Sequence, residues 1–484
     1  MAIRSRLVLL SLLGVLVLPS REVLAQEAAT DLPAGVPDLD AWVERTLETF
    51  EVPGVAITIV KDGEVVLARG FGVRRIGEST PVDSRTRFGI ASNTKAFTAT
   101  ALGLLVEDGL LEWDASVIDY LPWFQMWDPW VTREITVRDL LVHRSGLGLG
   151  QGDLLYWPES DFTRREIVEA VRYLKPVTSF RSAYAYDNIL YHVAALVIEE
   201  VSGLTWEDFV QARIIEPLGM EDTRVTRAST LEEGNVATPH ARIEGTVRPV
   251  VPLAATATNA AGGINSTAAD MAKWLIVQLD SGRVSGSERI FSQRTTTQLW
   301  KPVTPLPIGR VPEGMEPMQA QFAGYALGFG IRDHRGQKMI THTGGLPGYV
   351  SRVTMIPGLK LGIAVLTNQE MGVAFESITN RILDHYLEAE PRDWITLFRD
   401  LQARRDSTVA ARDQSAAAER DSTSRPSLPL EGYAGTYRDA WYGDIEIMEE
   451  EGGLAIQFSR TESLLGDLEH WQFDTFYVRW RDRE

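Results

Sequence analysis

The sequence predicts an α+β protein in which both ends of one domain supply strands to an antiparallel sheet and the middle of the chain forms helices. Three observations predict this class. Residues 55–60 and 64–68 are β-type apolar runs on either side of Asp62 and Gly63, the pattern of a β-hairpin. The patterns that follow are mainly helical. A second group of strand-like runs lies far along the chain, at 338–341, 350–356 and 361–367.

Helices are predicted where apolar runs carry start or stop signals. The run 92–107 is nearly all apolar and is followed by Gly109, which favours a buried helix that ends at a glycine. A capping pattern at Thr136 and Asp139 predicts a short helix that runs to Gly146. Two more helices of this kind are predicted at 189–201 and 267–279.

The composition changes near residue 400. Residues 404–427 are rich in Ala, Ser, Arg and Asp, which is typical of an exposed helix or a flexible linker. Short strand-like runs follow, at 433–437, 444–448, 454–458 and 471–480. They predict a small β module that is marginal for a core of its own. The predicted organisation is a leader at 1–25, a main domain at 36–395, a linker at 396–427 and a small β domain at 428–484.

The N-terminus has the features of a secretory signal peptide. Arg4 and Arg6 precede the apolar run 7–18, and a small-residue cleavage pattern ends at Ala25. The apolar run is too short to cross a membrane, which takes about 20 apolar residues. We therefore expect cleavage after Ala25, a periplasmic or secreted protein, and no stable membrane anchor after cleavage.

Composition excludes several kinds of chemistry. The 484 residues include no cysteine, so disulfides, thiol nucleophiles, Fe–S clusters and thiolate zinc sites are ruled out. The formal net charge of −18 argues against nucleic acid as a partner, because binding phosphates needs clustered Lys and Arg. The seven histidines form no HExxH or other close pair, so we expect no metal site. A hydrolytic nucleophile in this chain would have to be an oxygen.

Ser92 and Lys95 are the first candidates for such chemistry. They lie three residues apart at the start of the buried apolar run, so one helical turn places the hydroxyl and the ammonium on the same face. Serine needs a base, and a lysine in a low-dielectric cleft has a lowered pKa that suits this role. The alternative is a helix start with a chance lysine. An unpaired charge inside an apolar helix is costly, however.

With five further motifs, this segment resembles the serine β-lactamase and penicillin-binding-protein family, and in particular its class C-like branch. The resemblance covers roughly residues 36–390 and implies a β-lactamase/transpeptidase-like fold with a helical lobe, followed by a small all-β module. The motifs occur in family order: Ser92 to Lys95 (SNTK), 140–147 (LLVHRSGL), Tyr186 to Asn188 (YDN), 215–220 (IEPLGM), 262–271 (GGINSTAADM) and His342 to Gly345 (HTGG).

The resemblance implies a role for each residue of an acyl-transfer site. Ser92 would be the nucleophile, and both Lys95 and Tyr186 are candidate bases. We expect the lysine ammonium to lower the pKa of the tyrosine and leave it partly ionised. Asn188 would bind Lys95 or the substrate amide, or would cap the helix that follows it. The N–H groups of Ser92 and Gly345 would form the oxyanion hole.

His342 departs from the family's usual Lys-Thr-Gly strand, while Thr343 and Gly344 keep to it. A lysine at this position carries a permanent positive charge that binds a substrate carboxylate. Histidine is mostly neutral near pH 7 and lacks that charge. The resemblance therefore implies an exported serine hydrolase, without a cofactor, that acts on a D-amino-acid peptide or an ester more readily than on a β-lactam. Its partner would be a small-molecule or peptide substrate. The alternative is a non-catalytic binding or scaffold protein that retains the fold. The oligomeric state stays open.

Overall fold

A computed structural model describes residues 35–231, 234–450 and 452–483. The predicted signal peptide at 1–25 lies outside these residues. Twelve α-helices occur in the described residues. They are α1 (Leu39–Phe50), α2 (Thr94–Glu107), α3 (Val117–Tyr120), α4 (Pro129–Glu134), α5 (Arg164–Ala170), α6 (Ile189–Ser202), α7 (Trp206–Val210), α8 (Asn259–Gly262), α9 (Ala268–Leu279), α10 (Gln293–Leu299), α11 (Gly372–Tyr386) and α12 (Trp394–Ala418).

Eight antiparallel strands form the central sheet, in the order β2-β1-β14-β13-β12-β11-β10-β9. These strands are β1 (Gly54–Lys61), β2 (Glu64–Gly72), β9 (Thr304–Pro305), β10 (Ala323–Tyr325), β11 (Gly330–His334), β12 (Gln337–Leu346), β13 (Tyr349–Ile356) and β14 (Leu361–Thr367). Three two-stranded ribbons accompany it. They pair β3 (Phe88–Gly89) with β6 (Asn265–Ser266), β4 (His240–Ile243) with β5 (Thr246–Pro249), and β7 (Arg283–Ser285) with β8 (Glu288–Arg289).

The central sheet is buried on both faces, and alternation along its strands assigns each side chain to one of them. In β1, Val55, Ile57 and Ile59 pack with α1 and α11 on one face. Ala56 and Val60 turn to the other face and join the core of the helical lobe, which includes α2, α6 and α9. The α+β class predicted from the sequence is confirmed, with strands from both ends of the domain and helices between them.

The turn signals of the sequence have mixed outcomes. Asp62 and Gly63 both adopt left-handed backbone angles, as a two-residue hairpin turn requires. The helix predicted from Thr136 to Gly146 is wrong. Thr136 and Asp139 do form the reciprocal capping bonds, but they lead only to a 3-10 turn that ends at Leu141. His143 then adopts a left-handed φ of 52°, which stops helical continuation.

A long helix occupies most of the segment predicted as a linker. The first turn of α12 is buried through Trp394, Ile395 and Phe398, whereas the remainder is largely exposed. Beyond it, a five-stranded antiparallel sheet follows in simple chain order. The run predicted as one strand at 471–480 is divided between two strands. The five are β15 (Gly435–Asp439), β16 (Gly443–Glu450), β17 (Gly453–Phe458), β18 (Leu465–Gln472) and β19 (Thr475–Trp480).

The C-terminal sheet packs against the segment that precedes α5. Tyr442 is 3% exposed and belongs to the main hydrophobic core. Its ring packs edge-to-face with that of Phe162, with 5.7 Å between the ring centres. The guanidinium of Arg460 lies 4.0 Å above the Phe162 ring and pairs with Asp161 and Glu166. The sheet therefore completes its hydrophobic core by packing against the main domain, as expected of a module this small.

No single helix within the described ranges has the length and apolar composition of a membrane span, although the bent pair Ile189–Ser202 and Trp206–Ile215 passes that test on length and composition.

Tyr442 allows a test of this attachment. Tyr442→Ala removes a buried ring and should lower the free energy of unfolding by about 3–5 kcal/mol. Tyr442→Phe removes only the hydroxyl, which donates to Thr461 Oγ1 and accepts from the Arg460 backbone N–H, and should cost about 1–2 kcal/mol. Equilibrium denaturation of the full chain measures both values. Equal effects of the two variants would contradict the buried aromatic contact.

Candidate active site

Ser92 lies on a tight turn directly before α2. The 3-10 turn Ala91–Asn93 presents it, and it is the one partly exposed residue in an otherwise buried stretch from Phe88 to Leu105. Ala91 has a left-handed φ of 48°, which is unusual for a residue with a side chain. The chain is thus bent immediately before the predicted nucleophile, and the bend turns the Ser92 side chain out of the core.

Lys95 is fully buried one helical turn below Ser92, and its Nζ has three polar neighbours. Nζ lies 2.8 Å from Asn188 Oδ1, 2.9 Å from the carbonyl oxygen of Ala261 and 3.1 Å from Ser92 Oγ. The first two can only accept hydrogen bonds. A neutral lysine therefore donates both hydrogens to them and directs its lone pair toward the Ser92 hydroxyl. Burial lowers the pKa of Lys95 to about 7, so this neutral form is available near neutral pH.

Tyr186 contacts Ser92 from the other side. Its hydroxyl donates to Ser92 Oγ at 3.0 Å, and the Lys95 Nζ lies 5.0 Å from the centre of its ring. Burial raises the pKa of Tyr186 above its ordinary value. The predicted lowering of that pKa is therefore wrong, because desolvation of the phenolate is the largest influence and outweighs the hydrogen bond with Ser92.

The side chain of Asn188 binds Lys95 and does not cap α6. The residue stands at the N-cap position of α6, but its side chain makes no capping bond. Its Oδ1 accepts from Lys95, and its Nδ2 donates to Asp153 Oδ2 at 3.4 Å. Of the three roles predicted from the sequence, the geometry supports contact with Lys95 and excludes the helix cap.

His342 is held as a neutral ring. Its Nδ1 lies 2.6 Å from the carbonyl oxygen of Thr343, which only accepts, so the ring hydrogen is on Nδ1. Its Nε2 then accepts from the Tyr325 hydroxyl at 2.7 Å. Burial, with Lys95 nearby, lowers the pKa of His342 to about 3. This position therefore offers neither a positive charge nor a free ring nitrogen.

Gly344 allows strand β12 to approach the Ser92 turn. A Cβ at Gly344 would lie 2.2 Å from the carbonyl oxygen of Ile90 and 2.9 Å from the Cβ of Ala91. No side chain fits there without moving the turn. Gly345 is different, because it is exposed and a Cβ on it would meet nothing within 4 Å. Gly345 and the exposed Thr343 thus form the open edge of the strand beside Ser92.

Sequence reasoning missed two contributors to the site. The backbone carbonyl of Ala261 accepts a hydrogen bond from Lys95. Because this contact uses no side chain of Ala261, the sequence gives no signal for it. The Tyr325 hydroxyl is hydrogen-bonded to the His342 ring. Its own ring packs edge-on against His143, with 4.5 Å between the ring centres. His143 in turn lies against the Tyr186 ring at 4.1 Å. Aromatic residues beside predicted site strands are the signal that could have found Tyr325.

The described residues include no group of three or more His, Asp or Glu side chains placed to hold a metal. The fold and the site together define a two-lobed protein in which a serine hydroxyl lies between a lysine and a tyrosine. The chain belongs to the β-lactamase family, whose model matches residues 39–387. Homologues in this family are serine hydrolases. Residues 419–484 match a separate domain of unknown function, DUF3471.

Relatives and solved structures agree with this assignment. The chain is 28% identical over 451 residues to an unguisins hydrolase of Aspergillus violaceofuscus, covering 88% of this chain and 79% of the relative. It is 27% identical over 342 residues to penicillin-binding protein 4 of Amycolatopsis lactamdurans, covering 69% and 86%. The octameric penicillin-binding protein homologue of Pyrococcus abyssi has a TM-score of 0.65 at 25% identity, with 90% of each chain covered.

Proposed function

We propose that this protein is an exported serine hydrolase that cleaves an amide or an ester through an acyl-enzyme on Ser92. One observation carries the proposal. Ser92 Oγ lies within hydrogen-bond distance of both a desolvated lysine, at 3.1 Å, and a protonated tyrosine hydroxyl, at 3.0 Å. A binding protein has no need of this arrangement, whereas a serine nucleophile requires a base and a proton donor.

The proposed reaction follows from the protonation states. Neutral Lys95 accepts the Ser92 proton as Oγ attacks the substrate carbonyl carbon, and the N–H groups of Ser92 and Gly345 stabilise the oxyanion. The bond to the leaving group breaks, and the leaving group takes a proton from the Tyr186 hydroxyl, which is replenished from the Lys95 ammonium. Water then attacks the acyl carbon while Lys95 accepts its proton. The bond from that carbon to Ser92 Oγ breaks, the acid is released, and the Lys95 ammonium returns the proton to Oγ. Lys95 is thus the base, and Tyr186 transfers protons without being ionised beforehand.

The neutral His342 favours a peptide or ester substrate over a β-lactam. A penicillin presents a carboxylate to this strand, and a charge-assisted hydrogen bond is roughly twice as strong as a neutral one. The site lacks that charge, because His342 is neutral and both its nitrogens are engaged. The similarity to an unguisins hydrolase supports hydrolysis as the activity. We place D-amino-acid peptides and simple esters ahead of β-lactams as substrates.

Export is part of the proposal. The basic residues and short apolar run at 1–25 support cleavage after Ala25 and a periplasmic or secreted mature chain.

Replacing the nucleophile tests the function directly. Ser92→Ala should abolish hydrolysis of every ester or peptide that the wild type cleaves, while circular dichroism and the melting temperature stay near those of the wild type. The exposed Ser182→Ala is the matched control and should keep full activity. Intact mass after treatment with a fluorophosphonate should show one adduct, which Ser92→Ala lacks. Turnover by Ser92→Ala would refute the mechanism, and no adduct with any acylating probe would favour the non-catalytic binding protein.

The pH profile tests the assignment of the base. Lys95 must be neutral to accept a proton, so kcat/KM for a neutral ester should level off above about pH 7 and fall about tenfold per unit below it. Lys95→Arg stays protonated and should lose nearly all activity at every pH. Tyr186→Phe should be slower but should keep the inflection near pH 7. Loss of that inflection in Tyr186→Phe would instead assign the base to the tyrosine.

His342→Lys tests the substrate preference. The added charge should raise the ratio of kcat/KM for nitrocefin to that for p-nitrophenyl acetate by about 10- to 100-fold, since a charged hydrogen bond contributes about 1.5–3 kcal/mol. His342→Gln, which is neutral, should leave the ratio low. If the wild type already hydrolyses nitrocefin as fast as the ester, the inference from His342 is wrong.

A further inference from the structure

A cavity that the proposed reaction does not use lies between α11, the first turns of α12 and the segment 311–318. Its volume is about 410 Å³, which lies within the range of small-molecule sites. Six apolar side chains line it: Met315, Met318, Val373, Phe375, Phe398 and Leu401. Methionine is unbranched and flexible, so a wall that contains it adapts to an alkyl chain. The cavity is therefore suited to an aliphatic ligand.

The central sheet separates this cavity from Ser92. In β11, Ile331 packs into the core of the helical lobe, so the next residue, Arg332, lies on the opposite face of the sheet. Its cross-strand neighbour Met339 packs on that opposite face, together with side chains of α1 and α11. Ser92 directly precedes α2, whose side chains belong to the core of the helical lobe. A ligand in the cavity would therefore occupy a site distinct from the proposed acyl-enzyme.

Arg332 brings a guanidinium with unused donors to the wall of the cavity. Its Nη2 donates to the carbonyl oxygen of Met318 at 2.5 Å. Its Nε is enclosed and has no partner. Its Nη1 also has no hydrogen-bond partner among the described residues, but it is not enclosed. Because Arg332 lines the cavity, the N–H groups of Nη1 are available to a ligand that brings an acceptor.

The charges around the cavity favour an anion. Arg405, on α12, is a second cation in the wall; it is exposed, and no ion pair or hydrogen bond joins it to another described residue. Among the described residues that line the cavity, only Glu376 is acidic. Both of its oxygens are engaged, since Oε1 accepts from Arg352 and Oε2 accepts from Asn380. The two arginines of the wall therefore lack a carboxylate of their own.

We propose that this cavity binds an aliphatic carboxylate of medium chain length. The alkyl chain would pack on the six apolar side chains, and the carboxylate would accept from Arg332 Nη1, with Arg405 as a second positive charge. An alkyl chain suits the wall better than a peptide, because peptide groups need hydrogen-bond partners. The uncharged polar side chain of the wall, Gln402, already donates to Asp406. Binding here does not require the proposed acyl-enzyme at Ser92.

Three small ligands test the site in the full chain, with affinities measured by equilibrium dialysis below the concentrations at which they form micelles. Octanoate should bind about tenfold or more tightly than butanoate, because it buries more methylene groups. It should also bind about tenfold or more tightly than octylamine, which has the same chain but a positive head group at neutral pH. Equal affinities for octanoate and octylamine, or no binding of octanoate, would overturn the proposal. Tighter binding of the apolar peptide acetyl-Leu-Leu-Leu would overturn the assignment to an alkyl chain.

Variants in the wall locate the bound octanoate. Arg332→Met should weaken its binding about 10- to 100-fold, as expected for the loss of a charged hydrogen bond. Arg405→Glu should weaken it about 3- to 10-fold through repulsion of the carboxylate. Arg412→Glu is the matched control, because Arg412 lies two turns further along α12 and is likewise exposed and without a partner among the described residues. It should leave binding unchanged.

Circular dichroism shows whether each variant folds. If Arg332→Met does not fold, the comparison of Arg405→Glu with Arg412→Glu decides, because both of these positions are exposed. Octanoate binding that resists Arg332→Met, or that responds equally to Arg405→Glu and Arg412→Glu, would place the ligand elsewhere and refute the site. Loss of Ser92 acylation would appear separately, as the absence of ester turnover, and would leave octanoate binding unaffected.

Discussion

The desolvation of Lys95 is the constraint on which the rest of the site depends. A lysine enclosed in an apolar helix is costly while it is charged, and the structure reduces that cost by lowering its pKa to about 7. It also provides two acceptors, Asn188 Oδ1 and the Ala261 carbonyl, that the neutral amine can fill with its own hydrogens. The remaining lone pair has one polar neighbour, Ser92 Oγ. The burial of Lys95, the placement of its two acceptors and its neutral form thus all direct its lone pair toward the Ser92 hydroxyl.

The parts of this arrangement come from distant stretches of the chain, so close packing must hold them together. Asn188 is 93 residues from Lys95, and Ala261 is 166 residues from it. Gly344 lets β12 approach the Ser92 turn more closely than any side chain would allow. The tyrosine that completes the site is supported from behind by His143, which is itself in contact with Tyr325. A glycine and several aromatic rings therefore determine where the polar side chains of the site lie relative to one another.

Ser92 and Lys95 were predicted from their spacing at the start of an apolar helix, and the other site residues were predicted from motifs in the order of the resembled family. The sequence could not predict how strongly each is desolvated, since burial depends on elements far apart in the chain. This is why the direction of the Tyr186 pKa shift was wrong, and why both the Ala261 carbonyl and Tyr325 were missed. The short helix expected after Thr136 failed for a related reason. The capping bonds formed, but the tertiary environment of His143 ended the helix early.

The C-terminal sheet and Lys95 are linked through one short segment of the main domain, residues 153–162. Arg460 and Tyr442 hold Asp161 and Phe162 at one end of this segment. At its other end, Asp153 accepts from Asn188, which binds Lys95. Asp153 is thus two hydrogen bonds from the lysine amine, and its carboxylate raises the lysine pKa against the effect of burial. Because electrostatic effects fall off slowly in a dry interior, the place of Asp153 in this segment bears directly on the protonation of Lys95.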